Sequence, residues 1–148
     1  MSSPKNFSFV DEIIAGSAIP FSEDNIEFLI NSGIKYIISL TEEGLETYFP
    51  HASAQLTLVH IPIFGPPTDS EVIQFLNIIS KAERANEKVM IHCQYGQERT
   101  GCFLAIYLIE KKGYSFEEAI SLVKKTRPNS LQSSSMIRFL HNRYSKKN

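Results

Sequence analysis

The chain contains no tryptophan and only two cysteines, Cys93 and Cys102. Two are too few for a disulfide-stapled secreted scaffold or for a zinc site made of cysteines alone. Net charge is nearly missing too: 15 Lys and Arg stand against 16 Asp and Glu, giving −1 at pH 7 with His neutral. A near-neutral surface argues against a partner held by bulk electrostatics, such as duplex DNA. No apolar run approaches the roughly 20 residues that cross a bilayer, and the N-terminal MSSPKNFSFVDE has no apolar stretch of the signal-peptide kind. Repeats, low-complexity tracts and linkers are lacking as well. What is present is 148 residues, 43% hydrophobic, with ten Phe and six Tyr. That size suits a single domain over residues 1–148, large enough to hide roughly 70% of the surface its unfolded chain exposes. The expectation is a cytoplasmic, intracellular protein with reduced thiols and no membrane partner. The nucleus is also open to it, and a monomer is expected.

Periodicity divides the chain into alternating strands and helices. Residues 7–10 and 12–16 read as the first extended pieces. Ser22 then caps a helix whose first turn carries Glu23 and Asp24, at the positive end of its dipole, and which Asn31-Ser32-Gly33 stops. Residues 36–40 (YIISL) and 57–63 (TLVHIPI) read as strands buried on both faces, the second ended by Pro62. Thr68 and Glu71 form a capping box ahead of an amphipathic helix. Val89-Met90-Ile91 is a third buried strand, followed by the loop HCQYGQERTG and an apolar helix over residues 102–112, closed by Gly113. Ser115 and Glu118 start another helix that Arg127-Pro128 breaks, and a last helix is predicted from residue 131 to residue 144. This alternation predicts an α/β fold with a mainly parallel central sheet flanked by helices.

The loop between the third buried strand and its helix carries the chemistry. Ligands of open α/β sheets bind at the carboxyl ends of strands. A loop there that runs into a helix N-terminus presents backbone N–H groups and a positive dipole end, an anion site before any side chain is counted. Gln94, Tyr95, Gly96, Gln97, Glu98 and Arg99 would line that site. Gly96 permits a tight turn, Gly101 permits close packing, and Arg99 brings a planar fork that holds two phosphate oxygens. Cys93, at the same helix end, is favoured as thiolate, a nucleophile aimed at phosphorus. Thr100 can donate its hydroxyl to that sulfur, and His92 can fix the loop backbone. Cys102, just past Gly101, reads as a small packed residue, with a disulfide to Cys93 as the alternative.

The string H-C-x5-R-T-G over residues 92–101 resembles the signature of the cysteine-dependent protein tyrosine phosphatases. Asn6-Phe7-Ser8-Phe9-Val10, Ala15-Gly16, Ser39-Leu40-Thr41-Glu42, Ile61-Pro62, Pro66-Pro67 and Arg127-Pro128 extend the likeness to nearly the whole chain. In these segments it resembles the small atypical dual-specificity phosphatases of the VHZ type. The resemblance implies a compact phosphatase core with an anion-binding loop. It also implies removal of phosphate from phosphotyrosine, and from phosphoserine and phosphothreonine, through a phosphocysteine at Cys93. The partner would be a phosphorylated protein or peptide, and no metal or cofactor is required.

The sequence departs from that pattern where a proton donor is expected. Ile63 stands in place of the loop Asp, and a positioned acid is worth roughly 100- to 10,000-fold. Glu98, inside the anion loop, is one candidate replacement, because a bound dianion favours its protonated form. The alternative is a carboxylate turned to solvent or to a lysine. Asp69 is a second candidate, against a plain role in the first turn of its helix. A third possibility is that no acid is needed, as in phosphatase-fold RNA 5′-triphosphatases, whose diphosphate leaves readily; RNA is a partner only under that alternative. A phospho-ligand binding module with weak turnover is also open. Gln132 stands where a Glu is usual, either orienting the attacking water or serving as an ordinary polar residue of a first helical turn. Phe64 and Tyr95 are expected beside the pocket. Arg127 belongs either to a solvated basic face or to peptide binding.

Overall fold

The computed structural model describes residues 1–145. Five strands form one sheet: β1 (Ser8–Phe9), β2 (Ile14–Ser17), β3 (Ile34–Ser39), β4 (Thr57–His60) and β5 (Lys88–His92), in the order β1-β2-β5-β3-β4. All neighbours are parallel except β1 and β2, which pair antiparallel. Asp11 makes the turn between these two, its Oδ1 accepting the N–H groups of Ile13 at 2.8 Å and Ile14 at 3.0 Å. Five helices follow the expected punctuation: α1 (Glu23–Asn31), α2 (Asp69–Ala85), α3 (Glu98–Lys112), α4 (Phe116–Thr126) and α5 (Ser134–Tyr144).

Local chemistry explains most boundaries. The Ser22 side chain accepts from the N–H of Asn25, and both capping boxes, Thr68–Glu71 and Ser115–Glu118, are closed in both directions. Successive strand residues face opposite layers. Ile14, Ile38, Val89 and Ile91 join the α2–α5 side of the core. Ala15, Ile37 and Met90 pack on the other side, under α1 and two short 3-10 turns, Leu45–Thr47 and Ala52–Ala54. Among the described residues no helix is long and apolar enough to cross a membrane.

Three expectations need correcting. Strand β4 is neither buried on both faces nor seven residues long: it is the sheet edge, with Thr57 and His60 exposed. Its apolar run suggested a central strand, but a second neighbour is missing; past His60 the N–H groups of Ile61 and Ile63 still reach the Ser39 and Leu40 carbonyls, at 3.0 and 3.1 Å. Helix α3 starts at Glu98 rather than at residue 102, so Glu98, Arg99 and Thr100 are its first turn. Helix α5 starts three residues later than predicted, because Leu131 has φ +56° and interrupts any helix there.

Candidate active site

The loop from Cys93 to Gln97 joins the end of β5 to α3. Gly96 has φ +75°, and a Cβ built there would lie 2.5 Å from the backbone carbon and oxygen of Ser17, so only glycine fits. Four consecutive loop carbonyls are turned outward into the scaffold. That of Gln94 accepts from the Ile19 N–H at 3.1 Å, and that of Tyr95 from Asn6 Nδ2 at 3.2 Å. The Gly96 carbonyl accepts from Asn6 Nδ2 at 3.1 Å and from Arg127 Nη2 at 2.7 Å. That of Gln97 accepts from the Leu131 N–H at 3.3 Å and from that of Gly101 at 3.2 Å. In a trans peptide the N–H points opposite to the preceding carbonyl. The N–H groups of residues 95–98 therefore face the concave side, and no hydrogen bond among the described residues uses them. Together with the α3 dipole they form an anion cradle.

Cys93 is 3% exposed, and the Thr100 hydroxyl donates to its Sγ at 3.1 Å. His92 holds the loop from below. Its Nδ1 donates to the Cys93 carbonyl at 3.2 Å, which leaves Nε2 to accept the Ser39 hydroxyl at 2.7 Å. Burial, helped by the Arg99 and His60 charges, pushes the imidazole down to about 4, so the neutral ring required by this pair of bonds persists at neutral pH. Arg99 Nη1 donates to the carbonyls of Leu40 and Ile63, both at 3.3 Å. Its Nε and Nη2 are committed to no described protein atom, which leaves donors for an oxyanion.

A cavity of about 560 Å³ opens over this loop, lined by Gln94, Tyr95, Glu98 and Arg99 on one side and by Thr41, Glu42, Ile63, Phe64, Gly65 and Met136 elsewhere. Phe64 and Tyr95 are 75% and 69% exposed, so both expected aromatics stand at the rim. Ile63, at the position of the family's acid, is 1% exposed and belongs to the main core, while its carbonyl holds Arg99.

The structure separates the remaining expected residues. Glu98 lines the cavity, but its carboxylate neither turns to solvent nor meets a lysine: it accepts the N–H groups of Gln132 at 2.8 Å and Ser133 at 2.9 Å. Both carboxylate oxygens are thereby engaged by backbone donors. Asp69 is not brought to the cavity; its Oδ1 pairs with Arg143 Nη1 at 2.6 Å, as a first-turn residue of α2. The exposed Gln132 is absent from the cavity lining, and its recorded bond is made through the backbone. Gly101 packs against Leu131 and Ser130, with a built Cβ 3.0 Å from Leu131 Cγ. Cys102 is fully buried, and burial followed by the nearby Glu98 charge pushes its thiol up, so it is inert packing.

Arg127 lies neither on a solvated face nor in a peptide groove. It is 1% exposed and donates to Ser8 Oγ, the Gly16 carbonyl and the Gly96 carbonyl at 2.8, 3.0 and 2.7 Å. Desolvation lowers it to about 10, against the attraction of the Cys93 charge, and it remains a cation under the loop. Asn6 and Glu42 lie in two of the segments that resemble the family, and the sequence alone assigns neither a role of its own. Asn6 sits at φ +58° to aim its amide at the loop. The signal for Glu42 was its place just past the carboxyl end of β3.

These features match a known domain: the dual specificity phosphatase catalytic domain matches residues 20–146. The chain belongs to the dual-specificity phosphatase family. Mouse Slingshot homolog 1, a protein phosphatase, is 29% identical over 126 residues, covering 80% of this chain and 12% of that protein. Mouse phosphatidylglycerophosphatase and protein-tyrosine phosphatase 1 is 24% identical over 126 residues, covering 80% of this chain and 65% of that protein. The chain thus spans about an eighth of the first relative and just under two thirds of the second. The crystal structure of Tk-PTP in its active form superposes with a TM-score of 0.78 at 23% identity, covering 93% of this chain and 95% of that one. The dual-specificity phosphatase fold is therefore that of the cysteine-dependent tyrosine phosphatases.

Proposed function

We propose that this protein hydrolyses phosphotyrosine in proteins through a phosphocysteine on Cys93, with phosphoserine and phosphothreonine as slower substrates. The observation that carries the reading is the Thr100 hydroxyl on Cys93 Sγ at 3.1 Å, beside a cradle of unused N–H groups and Arg99. In this reading the phosphate dianion enters the cradle and takes the free donors of Arg99. Cys93 Sγ attacks phosphorus, the P–O bond to the substrate breaks, and water then hydrolyses the S–P bond to release inorganic phosphate. With Ile63 at the acid position, the leaving group matters more than usual. A tyrosine phenol, with a pKa near 10, leaves far more readily than the alkoxide of serine or threonine. The exposed rings of Phe64 and Tyr95 suit an aromatic ester.

The test compares p-nitrophenyl phosphate, a phosphotyrosine peptide and a phosphoserine peptide in wild type and Cys93→Ser. Wild type is expected to rank them in that order, with all turnover lost in Cys93→Ser. Equal rates for the two proteins on every substrate would overturn the reading and leave a phospho-ligand binding module. RNA 5′-triphosphatase activity is the second reading, favoured by Ile63 alone. It requires γ-phosphate release from triphosphorylated RNA that Cys93→Ser abolishes. The carboxylates of Glu42 and Glu98 in the cavity count against a polyanion.

A further inference from the structure

The loop beneath the cavity carries Cys93 and an anion cradle, and a core isoleucine, Ile63, stands where the phosphatase pattern calls for a proton donor. Granting the phosphatase reading, on which this inference rests, some group must still deliver a proton to a poor leaving oxygen. The carboxylates nearby differ in how they are engaged. Asp69 pairs with Arg143 away from the cavity. Glu98 is held by two backbone N–H groups. Glu43 does not line the cavity, and its Oε1 accepts the Tyr48 hydroxyl at 2.8 Å. Glu42 remains. It is exposed, lines the cavity with Arg99 and Phe64, and accepts no hydrogen bond among the described residues.

Its backbone, in contrast, is fixed on both sides. The Thr41 hydroxyl donates to the Glu43 carbonyl at 2.7 Å, and His60 Nε2 donates to the Thr41 carbonyl at 2.8 Å. Arg99 is tied to the same turn through the Leu40 carbonyl, two residues before Glu42. A fixed turn with a free side chain, beside the guanidinium that receives the phosphate, is the arrangement a proton donor needs.

We infer that Glu42 is the general acid of this phosphatase. As Cys93 Sγ forms the S–P bond and the P–O ester bond breaks, the Glu42 carboxyl gives its proton to the departing oxygen, and the alcohol or phenol leaves neutral. The Glu42 carboxylate then takes a proton from the water that attacks phosphorus. The S–P bond breaks, inorganic phosphate leaves, and the Cys93 thiolate and Glu42 carboxyl are both restored.

The experiment is a leaving-group series. Steady-state rates for aryl phosphates of rising phenol pKa, ending with phenyl phosphate and a phosphotyrosine peptide, are measured for wild type, Glu42→Gln, Glu42→Asp and Glu46→Gln. Glu42→Gln is expected to slow phenyl phosphate about 100-fold and p-nitrophenyl phosphate at most a few-fold, steepening the dependence of log kcat on phenol pKa. Glu42→Asp restores part of the difference, and the control Glu46→Gln changes neither rate. An equal effect of Glu42→Gln at both ends of the series, with turnover still dependent on Cys93, overturns this role alone. Turnover that survives Cys93→Ser overturns the phosphatase reading and this role together.

Discussion

On the cradle side of the cavity, four successive carbonyls are held by Ile19, Asn6, Arg127 and Leu131, which come from separate stretches of chain. On the facing side, the segment after β4 offers Ile63, turned into the core, and Phe64, 75% exposed with nothing packed over most of its ring. The first wall is over-determined, and its groups can meet a phosphate without rearranging. The second supplies shape and a carbonyl for Arg99, but no ionisable group from its own loop. In the proposed reading, binding and attack on phosphorus belong to one wall, and proton delivery falls to Glu42 on the turn after β3.

Cys93→Ser should give the largest effect, a fall of about 10,000-fold or more in kcat with the fold intact, read with p-nitrophenyl phosphate. A modest loss would mean that the cradle wall is not where bonds are made. Ile63→Asp places a carboxyl in the core and should cost roughly 3 kcal/mol of stability in urea unfolding. It should leave the phenyl phosphate rate no higher; a tenfold gain would show that the facing wall can host the family's acid after all. His92 supplies a pH test of the cradle. The unfolded ring protonates near 6.5 and the folded one near 4, so the unfolded chain binds the extra proton between these values. Stability should therefore fall as pH drops through that window, by about 1.4 kcal/mol per unit and about 3 kcal/mol in all, and His92→Gln should flatten the slope. The smallest effect belongs to Glu98→Gln, which keeps one acceptor oxygen for the N–H groups of Gln132 and Ser133. Its kcat should drop less than tenfold, equally for good and poor leaving groups. A selective loss on poor ones would move the acid from Glu42 to Glu98.

Much of the cradle was legible in the sequence because its requirements are local. A strand, a tight glycine, an arginine and a hydroxyl at fixed spacing can do little else, and the helix caps at Ser22, Thr68 and Ser115 are chosen within four residues. What escaped depended on distant partners. Nothing near Arg127 says that it is buried against residues 8, 16 and 96, and the partners of Glu98 lie 34 and 35 residues away. The exposure of β4 follows from the order of strands, which periodicity does not encode. Leu131 at φ +56° has no local signature, since leucine rarely adopts that conformation; tertiary bonds impose it.

The reach of Arg127 also bears on how far the chain can be cut. The signature ends at residue 101, yet the cation that grips the Gly96 carbonyl arrives after α4, and the N–H groups that hold Gln97 and Glu98 come later still. A fragment ending before residue 127 would keep the whole signature and lose all of these donors. The signature and its supporting frame are thus separated along the chain: residues 92–101 set the loop, and residues 127–133 hold it.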